Sequence, residues 1–126
     1  MNISRRRTER VPLSSSSFQA TWLSDWHKID ETGELINISP GGFGGRLKRA
    51  PAIGHLFHAR LSLIVPDGEA SPLQIEVDAH LCRRQLPDEP DEGGNTWIVH
   101  CAFESIHPDD KRRLMHAISM NEKENT

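Results

Sequence analysis

With 126 residues, 36% of them hydrophobic and 26% charged, the chain supports one domain with one modest core. Its formal charge of −3 argues against a general nucleic-acid binder, whose footprint is usually a broad basic face. No apolar run approaches the length of a bilayer, and no hydrophobic segment follows the N-terminal arginines; both points argue against membrane insertion and for the cytoplasm.

The charge is uneven. Positive residues gather at Arg5, Arg6, Arg7 and Arg10 and again at Arg46, Lys48 and Arg49, while negative ones gather in 88–92 and at the C-terminus. A local basic arm on an acidic remainder suits a small anionic ligand. Cys82 and Cys101 are too few for a disulfide framework, and they are expected as small core residues of a reducing compartment.

Residues 1–17 read as a flexible arm: arginines, a short Val11-Pro12-Leu13 stretch, then four serines. Such a segment has too little apolar surface to offset the entropy of ordering. From Phe18 the pattern alternates, with Phe18, Ala20, Trp22 and Trp26 on one side of a predicted strand. Asp30-Glu31-Thr32-Gly33 is expected to turn, returning the chain through Leu35-Ile36-Asn37-Ile38-Ser39. There Ile36 and Ile38 share one face, and Asn37 and Ser39 the other. Pro40-Gly41-Gly42 ends that strand, because proline donates nothing to a ladder and glycine tolerates positive φ.

Next, Phe43, Gly45 and Leu47 alternate with Arg46 and Lys48. From His55, Phe57, Ala59, Leu61, Leu63 and Val65 face inward, and His58, Arg60 and Ser62 face outward. The cleanest alternation runs from Leu73 to Arg84: Leu73, Ile75, Val77, Ala79 and Leu81 against Gln74, Glu76, Asp78, His80 and Cys82. An acidic loop leads to a strand from Trp97 to Phe103. Pro108, Asp109 and Asp110 then open a helix, with Leu114, Ala117 and Ile118 as its apolar stripe. Residues 120–126 read as a polar tail. Short antiparallel strands spaced by turns predict a mainly β domain over 18–119, a small barrel of about six strands with a C-terminal α-helix.

Little here promises catalysis. His55 and His58 diverge on a strand, as do His100 and Cys101, so no Cys–His nucleophile pair forms. His80 and Cys82 share a face but make only half a zinc site. The run 41–45 lacks the helix and lysine of a phosphate-binding loop. No metal, no cofactor and no enzymatic activity are expected.

Two separated elements remain: Arg6 and Arg10, spaced Arg-x-x-x-Arg, and Asn37-Ile38-Ser39-Pro40-Gly41-Gly42, spaced Asn-x-Ser-x-x-Gly. In this order, ahead of the strands that follow, they resemble the PilZ domain, a bacterial receptor for cyclic di-GMP (c-di-GMP). The likeness spans roughly Arg5 to Ser119. It implies a barrel with ligand on its surface and the arm folded over it, Arg6 and Arg10 gripping guanine edges or phosphates through the planar guanidinium fork. Asn37, where Asp is commoner, would accept from guanine N–H donors; Ser39 would bond a base or phosphate, and Gly42 would leave room. Arg5 would help to hold a second, stacked ligand molecule, with Arg7, Gly41 and Arg46 as further candidates.

The resemblance further implies a receptor or adaptor, with no chemistry of its own, that changes conformation with ligand and signals to an unidentified protein. The arm, residues 1–12, is expected to become fixed on binding. The alternative is a degenerate PilZ-like interaction module that ignores the nucleotide. A third reading, a small-barrel nucleic-acid binder, is opposed by few aromatics and the acidic balance.

Overall fold

The computed structural model of the chain describes residues 11–12, 16–64, 72–87 and 96–124. Among the described residues seven strands and one helix follow in order: β1 (Val11–Pro12), β2 (Ser17–Ser24), β3 (His27–Ser39), β4 (Gly42–Leu47), β5 (Leu56–Leu63), β6 (Leu73–Gln85), β7 (Trp97–Ile106) and α1 (Pro108–Glu124). All pairings are antiparallel. The sheet runs β3-β2-β5-β6-β7-β4 and closes through a β3–β4 pairing, giving a six-stranded barrel. The short β1 adds to β3 beyond β2, with Val11 opposite Ile38 and Pro12 opposite Asn37.

The barrel is filled as the alternation predicts. Phe57, Ala59, Leu61 and Leu63 of β5 and Ile75, Val77, Ala79 and Leu81 of β6 are buried, while His58, Arg60, Gln74, Glu76 and Asp78 are exposed. Phe18 and Phe43 meet edge to face at 5.1 Å between ring centroids, and Phe103 continues the cluster. Val65, expected inward, lies outside the described residues.

Helix α1 packs against β1 and β6 and buries Leu114, Ala117 and Ile118. Pro108 opens it as expected, and the ring of His107 caps it: Asp109 N–H donates to His107 Nδ1 at 3.2 Å. Asp110 pairs with Arg113 at 2.9 Å, and Asp109 with Arg112. The helix continues to Glu124, into the stretch read as a tail, since no Gly or Pro stops it.

Four expectations are corrected. The first hairpin turns at Asp25 and Trp26, both at positive φ (48° and 70°), and not at 30–33, which pair in register with β2. Gly33 sits within β3 for close approach: a Cβ there would stand 2.1 Å from the Arg46 carbonyl oxygen and 2.9 Å from Phe18. Trp26 consequently leaves the core face and is 99% exposed. Ile36 does not share a face with Ile38, because it bulges from the β3–β4 ladder between Leu35, opposite Gly45, and Asn37, opposite Gly44. Cys101 is buried as expected, but Cys82 is exposed at a second bulge, between Leu81 and Arg83.

Within the stretch read as an arm, β1 pairs with β3, and Ser16 is buried. The Ser16 carbonyl accepts from Leu35 N–H, and its hydroxyl accepts from Ile64 N–H, both at 3.0 Å.

Candidate ligand-binding face

A barrel filled with side chains has no interior space for a ligand, so its chemistry lies on the outer face. On β4, Phe43, Gly45 and Leu47 point inward, which turns Gly42, Gly44 and Arg46 outward. Gly42 and Gly44 are both buried, Gly44 beneath the Asn37 carboxamide, so β4 presents no side chain of its own at these two positions. Its flanks are β3 on one side and β7 on the other.

On the β3 flank, the bulge at Ile36 decides which residues look out. It resets the parity so that Leu35 and Ile38 are both buried and Asn37 lies opposite Gly44 on the outer face. The Asn37 carboxamide extends over Gly44, and a Cβ added there would sit 2.7 Å from Asn37 Oδ1. Ser39 is 5% exposed, and its hydroxyl stabilises the tight turn of 39–42. That hydroxyl accepts from Gly41 N–H and donates to the Gly42 carbonyl, both at 3.3 Å. The turn is tied to β7 as well, since Phe103 N–H donates to the Gly41 carbonyl at 2.9 Å.

The glycines divide their roles. Gly41 faces open space, with nothing within 4 Å of an added Cβ. Gly42 has a packing reason to be glycine: a Cβ would lie 2.0 Å from the Cys101 carbonyl oxygen. Its expected role of leaving room for a ligand is thus at least joined by the need to let β4 approach β7. Arg46 lies on the outer face, opposite Glu34 of β3 and Ile98 of β7. Arg5, Arg6, Arg7 and Arg10 lie outside the described residues. Arg10 is nevertheless bonded to Val11, whose register partner is Ile38, at the centre of the Asn37-x-Ser39 motif.

Sequence reasoning missed the β7 flank. His100 lies opposite Gly44, and Arg83 of β6 lies opposite His100, with Arg83 Nη2 3.2 Å from His100 Nε2. Straight alternation along 73–84 assigns Arg83 to the inner face; the bulge at Cys82 turns it outward. The same bulge sends Arg84 the other way. Its guanidinium stacks 4.7 Å from the centre of the Trp97 ring and donates to the carbonyls of Ala50 and Pro51.

A second polar cluster lies on the outer face of β5 and β6. His58 bridges Glu76 (Nε2 to Oε1, 3.0 Å) and Asp78 (Nδ1 to Oδ1, 3.1 Å), and Arg60 also reaches Glu76 at 3.4 Å. The hydrogen bonds to Glu76 and then Asp78 raise the His58 pKa, while His58 and then Arg60 lower that of Glu76. His80 Nδ1 lies against the Glu104 carboxylate without hydrogen-bond alignment, and His80 Nε2 is 3.5 Å from Cys82 Sγ. Among the described residues no group of three or more His, Cys, Asp or Glu could hold a metal ion. No helix among them is long and apolar enough to cross a membrane.

No protein-family model and no curated protein sequence matches the chain. Solved structures do match it. The PilZ domain of YcgR from Escherichia coli, solved with c-di-GMP, is 23% identical, with a TM-score of 0.63 over 96% of this chain and 94% of that one. The inhibitor of motility MotI from Bacillus subtilis is 18% identical with a TM-score of 0.66, covering 95% of this chain and 53% of that one. MrkH from K. pneumonia is 18% identical with a TM-score of 0.70, covering 94% and 50%. This chain therefore spans about half the length of MotI and of MrkH. The barrel and its helix have the PilZ fold.

Proposed function

We propose that this chain is a c-di-GMP receptor, which binds ligand on the outer face of β3 and β4 and passes the signal to a protein partner without catalysing a reaction. One observation carries the reading: β1 joins β3 so that the residue bonded to Arg10 lies opposite Ile38, between Asn37 and Ser39. Val11, which follows the arginine segment in sequence, is thereby paired beside the Asn-x-Ser-x-x-Gly turn. The likeness to the c-di-GMP-bound YcgR PilZ domain supports the ligand's identity.

The chemistry suits that ligand. Each guanine offers O6 and N7 acceptors to an arginine fork and N–H donors to the Asn37 carboxamide. Arg6 and Arg10 would grip bases or phosphates, and Arg5 would hold a second molecule if two bind stacked. The arm and ligand together would form a surface absent from the free protein, which is what a partner would recognise.

One observation favours the second reading, an interaction module that ignores the nucleotide. The Ser39 hydroxyl is largely buried and already bonded on both sides within its own turn. Titration calorimetry with c-di-GMP separates the two. Saturable heat with an integral stoichiometry supports the receptor, and no heat at high micromolar ligand leaves the interaction module.

A further inference from the structure

We infer that Arg83, positioned by His100, forms a phosphate subsite at the far end of the same face, beyond the residues that the Asn-x-Ser-x-x-Gly turn supplies. The inference rests on the c-di-GMP reading above and names where one phosphodiester of that ligand is held.

The geometry is a single cross-strand row. Asn37 lies opposite Gly44, Gly44 opposite His100, and His100 opposite Arg83, so four neighbouring strands each contribute one position to one line. Three interstrand spacings separate its ends, roughly 14 Å. Each end of the row is preceded by a bulge: Ile36 before Asn37 and Cys82 before Arg83. Without those bulges, strict alternation would turn both polar side chains toward a core that could not accept them. Two independent irregularities thus aim two polar groups onto opposite ends of one cross-strand row.

The charge of Arg83 is the second observation. Arg49, Arg60, Arg112 and Arg113 each meet a carboxylate, and Arg84 is held by two carbonyls and Trp97. Arg83 has no carboxylate partner among the described residues; its contact is the His100 ring. A guanidinium donates and never accepts, so His100 Nε2 accepts from it and carries no proton there. That bond fixes the direction of the fork while using only one of its five N–H donors. An exposed cation, oriented by the His100 ring, is suited to an anion arriving along the row. A ligand whose base is read at Asn37 carries its phosphodiesters outward from that base along the row, toward Arg83.

The test is calorimetry with c-di-GMP on the full chain and on Arg83→Met and Arg83→Lys. Arg83 is exposed, so melting temperature should be unchanged in both. Arg83→Met should weaken binding by about tenfold or more, the scale of a lost charge-assisted hydrogen bond. Arg83→Lys should recover most of that loss, because lysine still serves a phosphate as a point charge. In the unmodified chain, the Arg83 side-chain N–H resonance should shift on adding ligand. Binding by Arg83→Met equal to that of the unmodified chain, or an unmoved Arg83 resonance at saturation, overturns the subsite and leaves the receptor reading intact. An Arg83→Lys variant as weak as Arg83→Met overturns the phosphate assignment in favour of a base edge. No heat with the unmodified chain overturns both readings together.

Discussion

The carboxamide of Asn37 occupies the space that a side chain on Gly44 would need, its Oδ1 lying 2.7 Å from the place of a Cβ at residue 44. The two residues are register partners on adjacent strands, so neither can change without moving the other. Gly44→Ala should push aside the Asn37 side-chain amide and not a backbone. The expected result is a folded barrel with binding weakened by about tenfold or more, one good hydrogen-bonded contact being lost. Gly42→Ala is the contrast. Its Cβ would strike the Cys101 carbonyl, which cannot move without disturbing the β4–β7 ladder, and it should cost at least about 1–3 kcal/mol of stability. Thermal melts and calorimetry on the two variants check both halves, and equal melting temperatures would contradict the packing role of Gly42.

The arginine segment should act through geometry as well as charge. Arg6→Ala and Arg10→Ala should each cost about 1–3 kcal/mol of c-di-GMP binding without lowering the melting temperature. Lysine in their place should restore little, since a point charge cannot reproduce the planar fork. Unchanged affinity in both alanine variants would remove the arm from the site.

Base identity should matter more than charge. Cyclic di-AMP has the same ring and phosphates, but adenine places an amino donor where guanine has O6, and it lacks the N1–H and N2–H donors that Asn37 would receive. We expect c-di-GMP to be favoured by at least about 2 kcal/mol. Side-by-side titrations at one ionic strength decide this, and equal affinities would mean that the site senses only the phosphates.

The His58 cluster predicts a pH dependence away from the ligand face. Hydrogen bonds to Glu76 and Asp78 raise the His58 pKa above its ordinary 6.5, so its contribution to stability is complete below that value and is lost as pH rises through the raised folded pKa. Glu76, lowered by His58 and Arg60, works in the opposite sense. Its contribution is present above its ordinary 4.5 and is lost as pH falls through the lowered value. The cluster therefore contributes fully between about pH 4.5 and 6.5. NMR titration of the His58 ring should give a midpoint above 6.5, and Glu76→Gln should move it back toward 6.5. A ring that titrates at its ordinary value in both proteins would show that the contacts do not persist in solution.

Hydrophobic periodicity located β5, β6 and the helix, because Phe57, Ala59, Leu61 and Leu63, then Ile75, Val77, Ala79 and Leu81, then Leu114, Ala117 and Ile118 all lie against the core. What it could not locate were the departures from alternation. Gly33 resembles a turn residue, yet its reason to be glycine is the neighbouring Arg46 carbonyl and Phe18, partners that exist only after the sheet pairs. The turn at Asp25 and Trp26 was hidden because a large aromatic at positive φ is an uncommon choice. Both bulges depend on the register of the facing strand, so the outward direction of Arg83 follows only from its pairing with β7. The motif from Asn37 to Gly42 was legible as a string of residues. The β7 flank of the same face was not, since it comes from long-range pairing.

Barrel closure sets the order in which this face can come into being. Strand β4 is paired only with β3 and β7, and Gly42 faces Ala102, far along the chain. During synthesis the β3–β4 hairpin can form early, yet the row from Asn37 to Arg83 is complete only when β7 arrives and zips the last seam. Folding should therefore be limited by a late, long-range closure, with its entropy of loop formation, and not by the local hairpins. A ligand laid across that seam would bridge strands on both sides of it and hold shut the part of the barrel that forms last. Amide hydrogens along β4 and β7 would then exchange more slowly in the complex, while those of the β2–β3 hairpin tip would keep their own pace.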